Sequence, residues 1–346
     1  MPDANTTSRE RYSKLAPLHI SAEMLLVSLA LMFFSPGFQI KSKNHQKGVP
    51  LKPSSGGDFI EYLDAIRCLP EKADRYFHQL GPILHRMVEH GLLVDMGVGG
   101  GAYVMLPNHY YTFYELSKLR QRGGLWMAKV LGGRLVHHLA SPAIVHIVGE
   151  NDQGEREGSG IIFDKHHVLT CKHVVSGMRL APTQAFQGKT VTVDKVFTHP
   201  SEDVAVIRIK EPLTTVPGLG FVDPVVSQKV YRFGYSRVPC SVPSSTGTSP
   251  LVMQSGEVTN ESTLFLGGTK LFLYSAISRP GDSGGAVISD DGYVVGMTTE
   301  LLDSRAERKE GEEVFSPHYA GIPSGVLAKA VSELGLGVQI PMETYE

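Results

Sequence analysis

Three cysteines in 346 residues cannot build a disulfide framework. Cys68, Cys171 and Cys240 are a sparse, odd set, which fits a reducing compartment, because small secreted folds are usually bridged. The localisation read from this is cytoplasmic. Long apolar runs are lacking too. The most extended one, residues 24–34 (MLLVSLALMFF), falls well short of the ~20 residues that cross a bilayer. Arg9, Arg11 and Lys14 precede it as in a signal peptide, but Glu23 abuts it and no small-residue cleavage site follows. It reads as a buried core helix, with a signal peptide as the alternative, and no membrane association is expected. A net charge of −2 excludes a global case for polyanion binding. The charge is nevertheless uneven, +5 over residues 1–139 and −7 over 140–346, which suggests two units with different partners. No solenoid repeat is present.

What is there is an ordinary globular composition, 42% apolar and 20% charged, in a chain long enough for two or three domains. Residues 1–18 read as a disordered tail. A helix is predicted over 19–34, a flexible Lys/Pro/Gly/Ser-rich loop over 40–57, and a helix capped by Asp58. Further helices are predicted to begin at Pro70 and Pro82. Two short apolar runs, 92–96 and 102–106, flank a glycine-rich turn and predict a β-hairpin; Asn108 is predicted to cap a helix through Arg122. Helices followed by a hairpin resemble a winged-helix domain in element order, over 19–122. Residues 123–139 read as a linker. From residue 140 the texture changes to short β-branched runs separated by Gly, Pro, Asp and Ser, as in an all-β barrel or sandwich. Asp290-Asp291-Gly292 is a good hairpin turn, and 324–334 reads as a closing amphipathic helix before a tail at 336–346.

The β-rich region carries the groups that acyl transfer needs: a nucleophile, a base, a group to orient the base, and donors for an oxyanion. The candidate nucleophile is Ser283 in RPGDSGGAV, where glycines at 281, 284 and 285 let adjacent N–H groups converge. The candidate base is His173 in HVLTCKHVV, and the candidate orienting acid is Asp203 in SEDVAVIRI, where a carboxylate entering an apolar strand needs a partner. Singly, each has a plainer explanation. Ser283 could sit in a Gly-rich turn, a lone His173 is better read as a satisfied histidine at a strand end, and Asp203 could cap a strand. His166, His167, Cys171 and His173 crowd together, but no second ligand cluster accompanies them, so no metal and no cofactor are expected. The glycines at 97–101 do not open a helix and are not a phosphate cradle. Lys41, Lys43, Lys47 and Lys52 are those of a solvated loop before they are phosphate contacts.

GSGIIF followed by TCKHVV, DVAVIRI and PGDSGGAV is similar to the trypsin-like serine protease superfamily. AIS-x-PGDSGG with a final YAGIP strand looks most like its HtrA and glutamyl-endopeptidase branches. The resemblance covers residues 140–335. It implies a chymotrypsin fold of two six-stranded barrels, over 140–215 and 225–323. It also implies a triad of His173, Asp203 and Ser283, with an oxyanion hole from the N–H groups of Gly281 and Ser283. Ile277 aligns with the base of the primary specificity pocket; Ser278, Thr298, Thr299 and His318 align around it. The fold class expected is thus α+β and multidomain, a double barrel behind a mainly helical winged-helix-like domain.

Three features depart from the family pattern. The cysteine that usually follows the catalytic histidine is absent. Ile147-Val148-Gly149 imitates a zymogen start but lies too close to Gly158-Ser159-Gly160, so 144–149 reads as the first strand and Asp282 lacks the ammonium that such an aspartate pairs with in zymogen-derived members. No PDZ domain is expected after residue 335. The function read from all this is a serine endopeptidase acting on protein or peptide substrates and controlled by its N-terminal domain through a protein partner. The alternatives are a winged-helix DNA-binding regulator with a protease effector, for which Arg86 is the only fixed cation on the helix before the hairpin, and a pseudoprotease binding module.

Overall fold

The computed structural model describes residues 18–42, 51–99, 106–236, 249–264, 269–302 and 318–344. Two units emerge, Met1–Leu116 with Lys129–Gly132, and Ser117–Ala128 with Gly133–Glu346. Nearly all of the expected N-terminal tail lies outside the described residues, as does Cys240.

In the first unit the apolar run at 24–34 packs as core. It lies in α1 (Ile20–Phe33), which buries Leu26, Val27, Ala30 and Phe33, with Phe34 buried just beyond. Phe33 and Phe34 meet Phe59 with ring centroids 5.3 and 5.4 Å apart, and Phe34 meets Tyr110 at 5.2 Å. Such aromatic contacts add to the area they bury. The expected loop at 40–57 is shorter than read: α2 (Pro36–Ser42) and β1 (Ser54–Ser55) take its ends. Ser55, not Asp58, is the N-cap of α3 (Gly56–Ile66). Its hydroxyl accepts the Asp58 N–H while the Asp58 carboxylate accepts the Ser55 N–H, a capping box. A short 3-10 turn, Ala73–Tyr76, stands where a helix from Pro70 was expected. The next helix, α4 (Phe77–Glu89), starts before Pro82 and carries it inside.

The hairpin is displaced from its expected position. β2 (Val94–Val98) pairs with β3 (Asn108–Tyr111), Val94 opposite Tyr111, and residues 100–105 are outside the described residues. The helix expected from Asn108 is therefore a strand, because Tyr110 and Tyr111 prefer a pleated, half-buried surface to a helical one. The sheet order is β1-β3-β2.

Much of the stretch expected as a linker is folded, divided between the units, with 129–132 in the first and the rest in the second. Leu125, Trp126 and Met127 form a buried 3-10 turn, followed by α5 (Ala128–Leu131) and α6 (Gly133–Ala140), which buries Leu135 and Val136. Those side chains are too apolar for a solvated connection. Most of the expected C-terminal tail is likewise packed: the Phe221 N–H donates to the Pro341 carbonyl and the Glu343 N–H to the Phe221 carbonyl.

The strands follow as β4 (Ile144–Asn151), β5 (Gly154–Asp164), β6 (His167–Thr170), then α7 (Lys172–Ser176), β7 (Arg179–Leu180), β8 (Thr183–Phe186), β9 (Lys189–Thr198) and β10 (Ala205–Ile209). They form a seven-stranded sheet, β7-β4-β5-β6-β10-β9-β8, where a closed six-stranded barrel was expected. Where the β4–β7 pairing ends, the Gln184 side chain inserts between the two segments: its Oε1 accepts the Val148 N–H at 3.0 Å, and its Nε2 donates to the Val148 and Ala181 carbonyls, each at 2.9 Å.

The second set does close. β11 (Lys229–Tyr235), β12 (Leu251–Leu264), β13 (Lys270–Tyr274), β14 (Ala286–Ser289), β15 (Val294–Leu302) and β16 (His318–Pro323) make a six-stranded barrel around Val230, Val258, Phe272, Val287 and Val295. The 290–292 turn joins β14 to β15 as expected, with Gly292 at φ +82°. The closing helix is α8 (Ser324–Glu333). Among the described residues no helix is long and apolar enough to cross a membrane.

Candidate active site

His173 is in the first turn of α7, directly after β6, and Asp203 is in the loop joining β9 to β10. The Asp203 carboxylate takes three donors. Its Oδ1 accepts the His173 backbone N–H at 2.9 Å, and its Oδ2 accepts His173 Nδ1 and the Thr299 hydroxyl, both at 2.8 Å. Because a carboxylate can only accept, the proton between the two side chains sits on Nδ1 and Nε2 is left basic. Burial alone would push the Asp203 carboxyl up. The His173 hydrogen bond and charge, helped by the other donors, outweigh it and hold the group below the usual carboxylate range.

The sign of that shift fixes its effect on stability. A lowered folded pKa gives a contribution that is complete above the unfolded value of ~3.9 and is lost as pH falls through the folded value. Melting curves of Asp203→Asn and wild type should accordingly be furthest apart above about pH 4 and converge below it. A constant gap down to pH 2 would contradict this.

Ser283 follows Asp282 in the turn between β13 and β14, and Ser159 of β5 fastens that turn. The Ser159 N–H donates to the Ser283 carbonyl and its hydroxyl to the Gly281 carbonyl, both at 2.8 Å. Its own carbonyl accepts the Thr170 hydroxyl at 2.7 Å, and Thr170 ends the strand leading to His173. Ser159 therefore ties together the segments that carry Ser283 and His173. Gly284 has φ +87°, and a Cβ there would lie 2.0 Å from the Ser159 carbonyl oxygen, so both conformation and space demand glycine.

Asp282 does have a partner. It is fully buried against Arg232 of β11, itself fully buried, and the two form an ion pair. The Ser236 hydroxyl donates to Asp282 Oδ1 at 2.5 Å, the Arg279 N–H donates to Oδ2 at 2.7 Å, and Arg232 Nη2 donates to the Ile277 carbonyl at 2.8 Å. Burial pushes the Asp282 carboxyl up and the Arg232 guanidinium down, each opposed by the other's charge. Sequence reasoning missed Arg232. The available signal was a single arginine inside the otherwise apolar strand KVYRFGY, which needs a buried acid somewhere.

The residues aligned with the specificity pocket separate. Thr299 and Thr298 are buried, and their polar atoms are engaged. Thr299 holds Asp203. The Thr298 hydroxyl accepts from Tyr274, and its carbonyl accepts the Gly284 N–H and the Cys171 thiol. Ser278 is half-buried with its hydroxyl 2.8 Å from the Tyr274 hydroxyl, and Ile277 is 41% exposed. His318 opens β16 opposite Leu302; its side chain is outside the described residues.

The histidine crowd disperses as well. His166 Nδ1 faces the Ile209 carbonyl and His167 Nδ1 the Asp164 carboxylate. Ligand atoms of Cys171, His173 and Asp203 do lie within 4.8 Å of one another. A metal needs the thiolate, however, and burial pushes the Cys171 thiol well up while its S–H donates to Thr298. This trio fits a hydrogen-bonded histidine–carboxylate pair rather than an ion.

The trypsin-like peptidase domain family matches residues 158–297. The match covers less than half of the chain, and over that segment the chain is similar to trypsin-like peptidases. Two curated relatives are the serine protease Do-like HtrA of Lactobacillus helveticus, 28% identical over 51% of this chain and 43% of that protein, and the periplasmic serine endoprotease DegP of Escherichia coli, 29% identical over 64% and 45%. Both of these relatives are serine proteases. The chain spans less than half the length of either relative. A serine endoprotease structure from Yersinia pestis is 21% identical and covers 58% of this chain and 65% of its own, with a TM-score of 0.43.

Proposed function

We propose that the chain hydrolyses peptide bonds through an acyl-enzyme formed on Ser283. The observation that carries this reading is the Asp203 carboxylate, which holds the His173 imidazole by Nδ1 and leaves Nε2 as the unprotonated, basic nitrogen. In the proposed cycle, Ser283 Oγ attacks the scissile carbonyl as His173 Nε2 takes its proton. The resulting imidazolium then returns the proton to the leaving amine. Asp203 stays ionised and offsets the imidazolium charge. The N–H groups of Gly281 and Ser283 are the proposed donors to the oxyanion. A second half-cycle, with water as the nucleophile, releases the acid. Labelling of the full chain by a fluorophosphonate probe, lost in Ser283→Ala, tests the assignment.

For specificity, Ile277 offers no counter-charge to a basic side chain, and a lysine desolvated beside it would lose hydration without gaining a partner. Cleavage after small or medium apolar residues is expected, with Glu or Gln as the runner-up if His318 and Ser278 both face the pocket. A peptide library read by mass spectrometry checks this; cleavage mainly after Lys or Arg would overturn it.

For the N-terminal unit we propose a regulatory role exerted through a protein partner. Its order, helix–helix–strand–helix–helix–strand–strand, is compatible with a winged-helix domain. A DNA partner is disfavoured because the one fixed cation expected on the helix before the hairpin, Arg86, donates to the Val130 carbonyl. A reducing, cytoplasmic setting remains part of the proposal; Cys68 and Cys171 are both unpaired.

A further inference from the structure

We infer that His199 is a positioning residue for the Asp203 carboxylate and that it acts through one ring nitrogen. The inference rests on the protease reading above. β9 ends at Thr198, which pairs with Ala205, so residues 199–204 form a six-residue hairpin loop with Asp203 near its far end. Its ends are closed by the His199 N–H, which donates to the Val204 carbonyl at 2.9 Å. Inside it lies the His199 side chain, in a residue only 3% exposed. The Glu202 backbone N–H donates to His199 Nδ1 at 2.9 Å, and the Ser201 hydroxyl is 3.5 Å from the same nitrogen.

A backbone amide can only donate, so Nδ1 carries no proton and the ring proton is on Nε2. That proton is directed at Glu333 Oε2 of α8, 2.9 Å away. The two nitrogens thus do different work. Nε2 links the loop to the closing helix. Nδ1 fixes the 201–202 peptide, one unit before the peptide that carries the Asp203 N–H, and through it the course of the chain into Asp203. Lys172, next to His173, donates to the Pro200 carbonyl at 3.0 Å, so the loop is held against α7 independently. What remains for Nδ1 is the orientation of the 201–202 peptide, on which the approach of the chain to Asp203 depends.

Two substitutions separate the nitrogens. Asparagine places an amide oxygen near the position of Nδ1 and cannot reach Glu333. Glutamine reaches toward Glu333 with its amide nitrogen and leaves the Glu202 N–H without an acceptor. Because displacements of about 1 Å can cost ~100-fold in rate, His199→Gln is expected to lower kcat between about 10- and 100-fold with KM unchanged. His199→Asn should stay within about threefold of wild type, and Glu333→Ala should lower the melting temperature without lowering kcat. The downfield proton resonance of the His173–Asp203 hydrogen bond should follow the same order, weakened in His199→Gln and kept in His199→Asn. A folded His199→Asn that loses tenfold or more in kcat, or a His199→Gln that keeps both rate and resonance, overturns the inference. If the wild-type chain proves inert, the protease reading fails, and the resonance still decides the role of His199.

Discussion

Ser283→Ala is expected to lower turnover by about 10⁶-fold and to abolish labelling by a fluorophosphonate, while the far-ultraviolet circular dichroism is unchanged. The size follows from the division of labour in a triad. Without the hydroxyl there is no acyl-enzyme, and water would have to attack the unactivated peptide bond directly. His173→Ala should cost about as much, since the two act as one unit and their effects do not add. Asp203→Ala should cost less, on the order of 10⁴-fold, because a nucleophile and a base remain but the imidazole loses its fixed tautomer. Activity should fall on acidification as His173 takes a proton, since an imidazolium cannot accept another from Ser283. Folded Ser283→Ala with wild-type peptidase activity would refute the assignment.

Arg232→Met should be the most damaging substitution away from the triad. Asp282 would remain fully buried with its ion-pair partner gone. Breaking a buried pair from one side costs about 3–5 kcal/mol, which for a unit of this size lowers the melting temperature by roughly 10 °C. Turnover should fall at least tenfold as well, because Asp282 anchors the turn on which Ser283 sits through the Arg279 N–H and the Ser236 hydroxyl. The double variant Arg232→Met/Asp282→Leu separates the two effects. Removing both charges should restore most of the stability, since well-packed apolar residues replace a buried ion pair at little cost, yet turnover should stay low. A single Arg232→Met variant as stable and as active as wild type would show that the pair does neither job. Differential scanning calorimetry and active-site titration are sufficient to tell.

Local chemistry is legible in the amino-acid sequence. The Asp290-Asp291-Gly292 turn, the strand beginning at Ile144 and the strand placement of DVAVIRI all depend on neighbours within a few residues, and each stands where it was expected. The candidate site is legible for a related reason, because its His, Asp and Ser each lie in a short motif of distinctive composition. What is not legible depends on distant partners. Arg232 and Asp282 are 50 residues apart, and nothing near either one indicates the other. Thr299 aligns with a pocket wall, whereas its hydroxyl turns to a carboxylate 96 residues away. The sheet pairing at Gln184 depends on an amide side chain imitating backbone, which no periodicity reveals. At 108–111 and 123–139 the error is different in kind. Polar residues and glycines in the one-dimensional pattern conceal tyrosines and a tryptophan that tertiary packing uses.

The Thr299–Asp203 hydrogen bond also bears on timing during synthesis. A ribosome delivers His173 and Asp203 well before Ser283, and Thr299 later still, on a strand whose β16 neighbour has not yet been made. Domains fold from the N-terminal side as they emerge, so a histidine–carboxylate pair can assemble early with one of its three clamps missing. The turn that carries Ser283, fastened by Ser159 and by the Thr298 carbonyl, waits for that same late strand. On the proposed mechanism, hydrolytic competence arrives only with the last barrel strands.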